Sequence, residues 1–313
     1  MQNLVYQTKI NDKNVQFFFL EQIADVREGL ATGDNKYYLY KEENALGKYK
    51  IIDKKKLIDK DELNKISKNV ELRKEIINNG FDKKLFNGRT VVPYDKGGSS
   101  NIDEAQLNNY YSPTKFFIDW STENVKRLKT FTISDIKKFY GKKPSIGDEK
   151  KIASRFQNMD FSFKQGITFP MTGIYAPTFR LNSNSLFGHG GNCLFIKKEY
   201  QKIFSIEYLL GILCSKFTKY CFKNYVNNTV NTPPDSYTKL LIPICDNKKK
   251  STIEHFVQNI IKNLKSNSSY NYQNKDQQKI DTLIYDLFGL DLETINEIEN
   301  WYGRKYPKLV TKN

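Results

Sequence analysis

Cysteine and histidine are scarce in this sequence of 313 residues, which contains four cysteines and two histidines. No two cysteines have Cys-x-x-Cys spacing, and the separation of Cys214 and Cys221 would place both on one buried face of a helix. His255 lies in a segment with the pattern of an amphipathic helix. A zinc site, a disulfide framework and a histidine-based relay are therefore not expected.

Long apolar runs are also lacking. No run reaches the ~18 residues that a membrane-spanning helix requires. The first residues, Met-Gln-Asn-Leu-Val-Tyr-Gln-Thr, include neither a basic stretch followed by an apolar core nor a small-residue cleavage site. We therefore expect a cytoplasmic protein without a membrane partner.

The motifs of a methyltransferase are missing as well. An S-adenosylmethionine site needs a glycine-rich loop between a strand and a helix, but the cluster Gly188-His189-Gly190-Gly191 precedes a second strand-like run, which predicts a turn. The segment Asn231-Thr232-Pro233-Pro234-Asp235 has Thr where an amino-methyltransferase needs Asn or Asp, so its prolines indicate a structural loop. We expect no catalytic residue and no cofactor on this chain.

Positive charge is abundant. The formal net charge is +15, from 50 Lys and Arg against 35 Asp and Glu. An excess of this size attracts polyanions, so nucleic acid is the favoured partner. A lysine-rich surface that is merely solvated remains the alternative on charge alone.

The distribution of apolar residues predicts a mixed α+β fold. Up to about residue 204, short strand-like runs alternate with Gly, Asn, Asp and Pro turns, and one helix near 61–78 ends at Asn78-Asn79-Gly80. From residue 205 the period changes to that of amphipathic helices, with apolar stripes around 206–222, 253–264 and 280–288 and a last helix near 292–302. We predict a β-rich recognition domain at 1–204 and a mainly helical spacer or partner-docking region at 205–313.

Three glycine-rich loops combine amides, hydroxyls and cations, the groups that contact phosphates and base edges. The first begins at Gly29, the second runs from Gly88-Arg89 through Pro93–Ser100, and the third, Gly166–Gly173, leads on to the turn at Gly188–Gly191. A plain turn is the alternative explanation for the first loop and for the turn at Gly188–Gly191. The candidate DNA-binding residues, in these loops and at nearby cations and hydroxyls, are Thr32, Gly33, Asn35, Lys36, Arg89, Lys96, Gly97, Gly98, Arg155, Thr168, Arg180, Gly188, His189 and Gly190.

An ordered series of motifs resembles the C-terminal specificity region of type IIG restriction enzymes and of the BREX adenine methyltransferases of the PglX type. The series spans about residues 26–245, and Asn296–Tyr302 resembles the ending of the same family. Its motifs are GLATGDNKYYL, PYDKGGSS with IDW, GITFPMTG, FRLNSNSLFGHGGNCLFI, and LLGILCSKF with LLIPI.

The resemblance implies a division of labour. In that family an N-terminal methyltransferase domain binds S-adenosylmethionine, and the C-terminal region reads the DNA while the target adenine is flipped. The family has three recognition loops that the motifs place on this sequence. The resemblance assigns the first loop to Gly29, Thr32, Gly33 and Asn35. It assigns the second to Lys96, Gly97 and Gly98, and the last to Gly188, His189 and Gly190. The expected partners are double-stranded DNA and a catalytic methyltransferase or nuclease chain that carries the cofactor.

Two other functions remain open. The triplets Asp34-Asn35-Lys36, Asp148-Glu149-Lys150 and Glu149-Lys150-Lys151 have the Asp/Glu-x-Lys spacing of magnesium-dependent nucleases, a spacing that also arises by chance in a chain this rich in charge. Apolar helix faces near Leu209 and Ile260 could instead belong to a protein-interaction or inhibitor module.

Overall fold

The fold is α+β, as the sequence predicts. A computed structural model describes residues 5–98, 108–182 and 184–307. The strands in these ranges are β1 (Tyr6–Ile10), β2 (Lys13–Phe19), β3 (Ala24–Arg27), β4 (Leu39–Lys41), β5 (Lys50–Ile51), β6 (Val91–Asp95), β7 (Phe116–Asp119), β8 (Gly166–Pro170), β9 (Arg180–Asn182), β10 (Leu186–Phe187), β11 (Gly191–Ile196) and β12 (Leu241–Pro243).

Helices lie between and after these strands. The α-helices of the described residues are α1 (Leu20–Ile23), α2 (Asn35–Tyr38), α3 (Lys60–Lys68), α4 (Val70–Asn79), α5 (Thr122–Thr130), α6 (Ile133–Phe139), α7 (Ile206–Cys214), α8 (Lys216–Cys221), α9 (Asn247–Ser266), α10 (Asp276–Leu287) and α11 (Leu292–Lys305). Within the described ranges, no helix combines the length and the apolar character needed to cross a bilayer.

The strands form three sheets. A three-stranded sheet has the order β1-β2-β12, and a four-stranded antiparallel sheet has the order β3-β11-β8-β9. A five-stranded mixed sheet has the order β10-β6-β7-β4-β5. Two connections link the four-stranded sheet to the five-stranded sheet. The segment after β3 leads through α2 to β4, and a tight turn joins β10 to β11. The ends of these two sheets are therefore held close together.

Two large hydrophobic clusters stabilise this arrangement. The larger one packs α7, α9 and α10 against the three- and four-stranded sheets, and it includes Phe18, Leu194, Leu210 and Val257. The other packs α3, α4 and α5 against the five-stranded sheet around the fully buried Trp120. The larger cluster contains residues from both sides of residue 204, so the later helices pack directly on the earlier strands. The division into domains at that residue stays a prediction.

Most predicted helices are present, but two of them are interrupted. The helix expected at 61–78 is α3 followed by α4, because Asn69 has an extended backbone and its side chain accepts a hydrogen bond from the backbone N–H of Leu72. The stripe at 206–222 is likewise split at Ser215, whose hydroxyl accepts from the N–H of Thr218. A residue whose side chain caps the following helix ends the preceding one.

Helices α5 and α6 were not among the predicted elements. They lie inside the segment expected to be β-rich, and both are short. Thr132 and Asp135 form a reciprocal capping box at the start of α6. Ser121 precedes α5 in the extended conformation of an N-terminal cap.

A buried carboxylate links two helices of the larger cluster. Asp281 of α10 is 2 % exposed, and it accepts hydrogen bonds from the backbone N–H of Lys216, at 2.9 Å, and from the side chain of Gln277, at 3.1 Å. Gln277 in turn accepts a hydrogen bond from the hydroxyl of the buried Tyr110. Burial raises the pKa of Asp281 to about 6.

This pKa shift makes Asp281 a source of pH-dependent stability. Its ordinary pKa is 3.8, so between that value and about 6 the folded state binds more protons than the unfolded state. Stability is therefore lost as the pH rises through this window, by up to about 3 kcal/mol for a shift of about two pKa units. The variant Asp281→Asn keeps an acceptor for Lys216 and has no proton to lose. We expect the stability of the wild type relative to this variant to fall between about pH 4 and pH 7 in urea unfolding. A difference that does not change with pH would contradict the expectation.

Candidate nucleic-acid interface

The three glycine-rich loops, far apart in the chain, meet where the four- and five-stranded sheets adjoin. We call 29–36 the first loop, 95–98 the second loop and 187–191 the last loop. Leu30 donates its N–H to the carbonyl of Phe187 at 3.0 Å, and its own carbonyl accepts from the N–H of His189 at 3.1 Å. Gly188 donates to the carbonyl of Asp95 at 2.8 Å. These backbone bonds fix the three loops as one surface.

Glycines allow this close approach. A Cβ atom at Gly29 would overlap the carbonyl oxygen of Phe187, and one at Gly188 would overlap the phenol of Tyr94. Gly97 has a φ of +83°, and a Cβ there would overlap the carbonyl oxygen of Gly190. Packing between the loops is thus a sufficient reason for these glycines. Their approach to a DNA backbone stays a prediction.

The first loop is anchored by a buried ion pair. Asp34 caps α2, accepts a hydrogen bond from Tyr140 at 2.9 Å and contacts Nη2 of Arg127 at 3.1 Å. The Arg127 guanidinium lies 3.9 Å from the centre of the Tyr37 ring. Burial raises the pKa of Tyr38, on the same short helix, to about 12. Asp34 therefore holds the loop in place.

The predicted residues of the first loop differ in exposure. Thr32 is buried, and its hydroxyl donates to the side-chain oxygen of Asn35 at 2.7 Å. Gly33 has a positive φ and packs against the backbone of Ala153. Asn35 and Lys36 are exposed, and the Lys36 ammonium lies 5.5 Å from the centre of the Tyr140 ring. Two of the four therefore present their side chains to a ligand.

Arg155 and His189 form a polar pair on this surface. Arg155 is joined to the first loop by backbone hydrogen bonds with Ala31 in both directions. Its Nη2 lies 3.1 Å from Nδ1 of His189, which is also 3.3 Å from a carboxylate oxygen of Glu28. Nδ1 can accept from Arg155 or donate to Glu28, but it cannot do both at once. Both side chains are solvent-accessible, so they can exchange these partners for a ligand.

A cleft of about 840 Å³ opens beside the second and last loops. Lys96, Gly97, Gly98, His189 and Gly190 contribute to it, so it brings together five of the predicted residues. Its other walls come from residues that were not predicted: Asn44, Ala45, Leu46, Gly47, Tyr49, Lys115, Phe116, Met171 and Thr172. The neighbouring pairs Tyr49-Lys50 and Lys115-Phe116, an aromatic ring beside a cation, are the local signal that could have identified part of this set.

Arg180 and Thr168 are placed differently from the other candidates. Thr168 is fully buried, and Arg180 is 2 % exposed on β9. The Arg180 Nη2 donates to Asp95 at 2.7 Å, and the same carboxylate oxygen accepts the backbone N–H of Gly97 at 2.9 Å. Burial leaves neither side chain on the surface that a duplex could contact. Arg180 instead shapes the second loop through Asp95.

Arg89 lies outside this cluster of loops. Its guanidinium forms ion pairs with Asp59, at 2.6 Å, and with Glu62, at 2.9 Å, at the N-terminus of α3. The N–H of Glu62 and the Arg89 guanidinium hold the pKa of Asp59 below its usual range. Two carboxylates thus neutralise the charge that was expected to bind a phosphate.

The aspartates of the nuclease-like triplets are also engaged. Asp34 is bound as described above. Asp148 accepts hydrogen bonds from the Lys137 ammonium, at 2.7 Å, and from the backbone N–H of Ser145, at 2.6 Å. The bond from Lys137 is the main reason that the pKa of Asp148 is lowered. Among the described residues, no group of three His, Cys, Asp or Glu side chains is placed to hold a metal ion.

The glycine cluster of the last loop leads into a strand, as predicted. Gly191 begins β11, and its N–H donates to the carbonyl of Gly188 at 3.0 Å, which closes a tight turn. No helix starts at this turn.

No protein-family model and no curated protein sequence matches the chain.

Proposed function

We propose that this chain is the DNA target-recognition part of an adenine-specific restriction-modification or phage-defence methyltransferase. In this proposal it binds double-stranded DNA with a sequence preference, and a separate chain or domain transfers the methyl group. The observation that carries the proposal is the convergence of the three motif loops, with Lys96, Arg155 and His189 on the surface that they form.

The side chains of this surface suit different parts of a duplex. Lys96 and Lys36 are point charges on flexible stems, which suits them to phosphates. Arg155 carries a planar fork of donors that matches the O6 and N7 acceptors of guanine. His189 and Asn35 can each donate to or accept from a base edge. Phosphate contacts would set the position of the protein, and Arg155, His189 and Asn35 would supply the preference for sequence.

S-adenosylmethionine belongs to the partner in this proposal. Its binding needs glycine backbone at a helix N-terminus, but Gly188 and Gly190 pack against Tyr94 and the second loop, and β11 follows them. The last loop therefore does not fit the cofactor, and no step of methyl transfer is assigned to this chain. The net charge of +15 favours the DNA partner.

Selection from a pool of randomised duplexes tests the proposal. The purified chain, at a moderate salt concentration, should retain duplexes that share a common sequence. Arg155→Ala should change or broaden that sequence, because a bidentate contact discriminates between bases by about 1–3 kcal/mol. Lys36→Ala, the matched control, should weaken binding without changing the selected sequence. Retention without any enriched sequence would contradict the proposal, and so would the absence of retention.

The same preparation separates the two other functions. Incubation with plasmid DNA and Mg²⁺ should leave the plasmid intact. Cleavage that Asp148→Ala abolishes would instead identify a nuclease. Capture of a partner protein by a chain that binds no DNA would favour an interaction module.

A further inference from the structure

A small cavity of about 50 Å³ lies beside the second loop. Its described lining includes three cations, Lys96, Lys115 and Arg180, and one carboxylate, Asp95. Asp95 is already occupied by Arg180 and by the N–H of Gly97. Ser112 and Thr114 add hydroxyl groups. The lining thus carries an excess of two positive charges, together with groups that donate hydrogen bonds, and this is the environment of an anion site.

Arg180 gives this cavity its strongest reason to bind an anion. The residue is 2 % exposed, and only its Nη2 is bound to Asp95. Its Nη1 is buried and has no hydrogen-bond partner among the described residues. A buried charged donor without an acceptor is costly, so a phosphate oxygen in the cavity would satisfy a group that the fold leaves unpaired.

The cavity adjoins the cleft of about 840 Å³, because Lys96, Gly97, Lys115 and Phe116 line both. Tyr49 and Phe116 meet edge to face in the cleft, with ring centres 5.8 Å apart. The Lys96 ammonium lies 5.3 Å from the centre of each ring. Met171 and Leu46, of which Leu46 is 57 % exposed, add apolar surface. Aromatic rings beside cations form the usual platform for unstacked bases.

We propose that the cavity and the cleft together bind one unstacked nucleotide of the DNA. Its phosphate lies in the cavity against Arg180, Lys96 and Lys115, and its base lies against Tyr49 and Phe116. A base that is stacked within a duplex hides both of its faces, so only an unstacked base can contact these rings. The inference rests on the proposed function, because it takes the nucleotide to be part of the DNA that the three loops bind.

Titration calorimetry of the full chain with a short single-stranded oligodeoxyadenylate tests this inference. Tyr49→Leu should weaken this binding roughly tenfold, because the base loses the aromatic ring on which it stacks. Lys115→Ala should weaken it to a similar degree and reduce its salt dependence. Lys50→Ala is the control, since Lys50 is an exposed cation adjacent to Tyr49 that does not line the described cleft or cavity. This control should remain within about twofold of the wild type.

A fully paired duplex, measured with the same variants, separates this inference from the proposed function. Tyr49→Leu should weaken duplex binding less than it weakens single-strand binding, because a paired base must first leave its stack. If the chain binds the duplex and Tyr49→Leu binds the single strand as well as the wild type does, the cleft does not hold a base and the inference is overturned. If the single strand binds through Tyr49 but the duplex does not bind, the proposed function fails while the nucleotide site stands. Inorganic phosphate that binds as tightly as the oligonucleotide would reduce the site to a simple anion site and would also overturn the inference.

Discussion

Replacing Lys96 and Arg155 together by alanine is expected to weaken duplex binding by about 100-fold or more. Both residues lie on the surface formed by the three loops, and each hydrogen bond to a charged group contributes about 1.5–3 kcal/mol. The slope of log affinity against log salt should also decrease by about 0.9 for each phosphate contact that is lost. Fluorescence anisotropy with a labelled duplex at several salt concentrations measures both quantities.

A control with the same change in net charge separates specific contacts from general attraction. Lys9 and Lys74 lie on β1 and α4, where they pair with Asp12 and Glu71 on exposed surface. The double variant Lys9→Ala with Lys74→Ala also removes two positive charges, but from a different part of the surface. Its affinity for the duplex should stay within a few-fold of the wild type. Equal losses in the two double variants would mean that the three-loop surface is not the binding surface.

Gly97→Ala is expected to destabilise the protein by about 2–5 kcal/mol and to abolish duplex binding. The positive φ of this residue costs a side chain about 1–2 kcal/mol. The new Cβ also overlaps the carbonyl oxygen of Gly190, and such overpacking typically costs a further 1–3 kcal/mol. Because the overlap lies between the second and last loops, the loops would separate. Urea unfolding gives the change in stability.

Gly88→Ala is the matched control for this variant. Gly88 has a φ of +77°, close to that of Gly97, but a Cβ there meets no atom within 4 Å. It should therefore show only the backbone cost of about 1–2 kcal/mol and bind duplex normally. Equal destabilisation by the two substitutions would show that the contact between the loops contributes nothing to stability.

The helical part of the fold is the part that local sequence predicts best. The stripes around 253–264 and 280–288 correspond to α9 and α10, because an apolar repeat of three and four residues can be buried only as a helix face. The interruptions at Asn69 and Ser215 depend on single capping side chains within otherwise continuous patterns. Helix α6, with seven residues, gives too few turns for a periodic signal.

The candidate site could be predicted only in pieces. The sequence identifies each glycine-rich loop, but their meeting depends on strands that pair across long separations, such as the parallel pair of β6 and β10. Whether an individual side chain is buried also depends on this long-range strand pairing. Arg180 belongs to a residue type that commonly binds phosphates, but its strand lies within the fold. Its Nη2 is paired with Asp95 of another sheet, which leaves only Nη1 for an anion. Tyr49 and Phe116 come together for the same nonlocal reason.

The salt dependence of wild-type duplex binding tests the central claim most directly. If cations of the three-loop surface bind phosphates, log affinity should fall linearly as log salt rises, with a slope of about −0.9 for each phosphate contacted. At least two such contacts are expected, from Lys36 and Lys96, so the slope should be about −1.8 or steeper. An affinity that does not change with salt concentration, or no measurable duplex binding at low salt, would contradict the account.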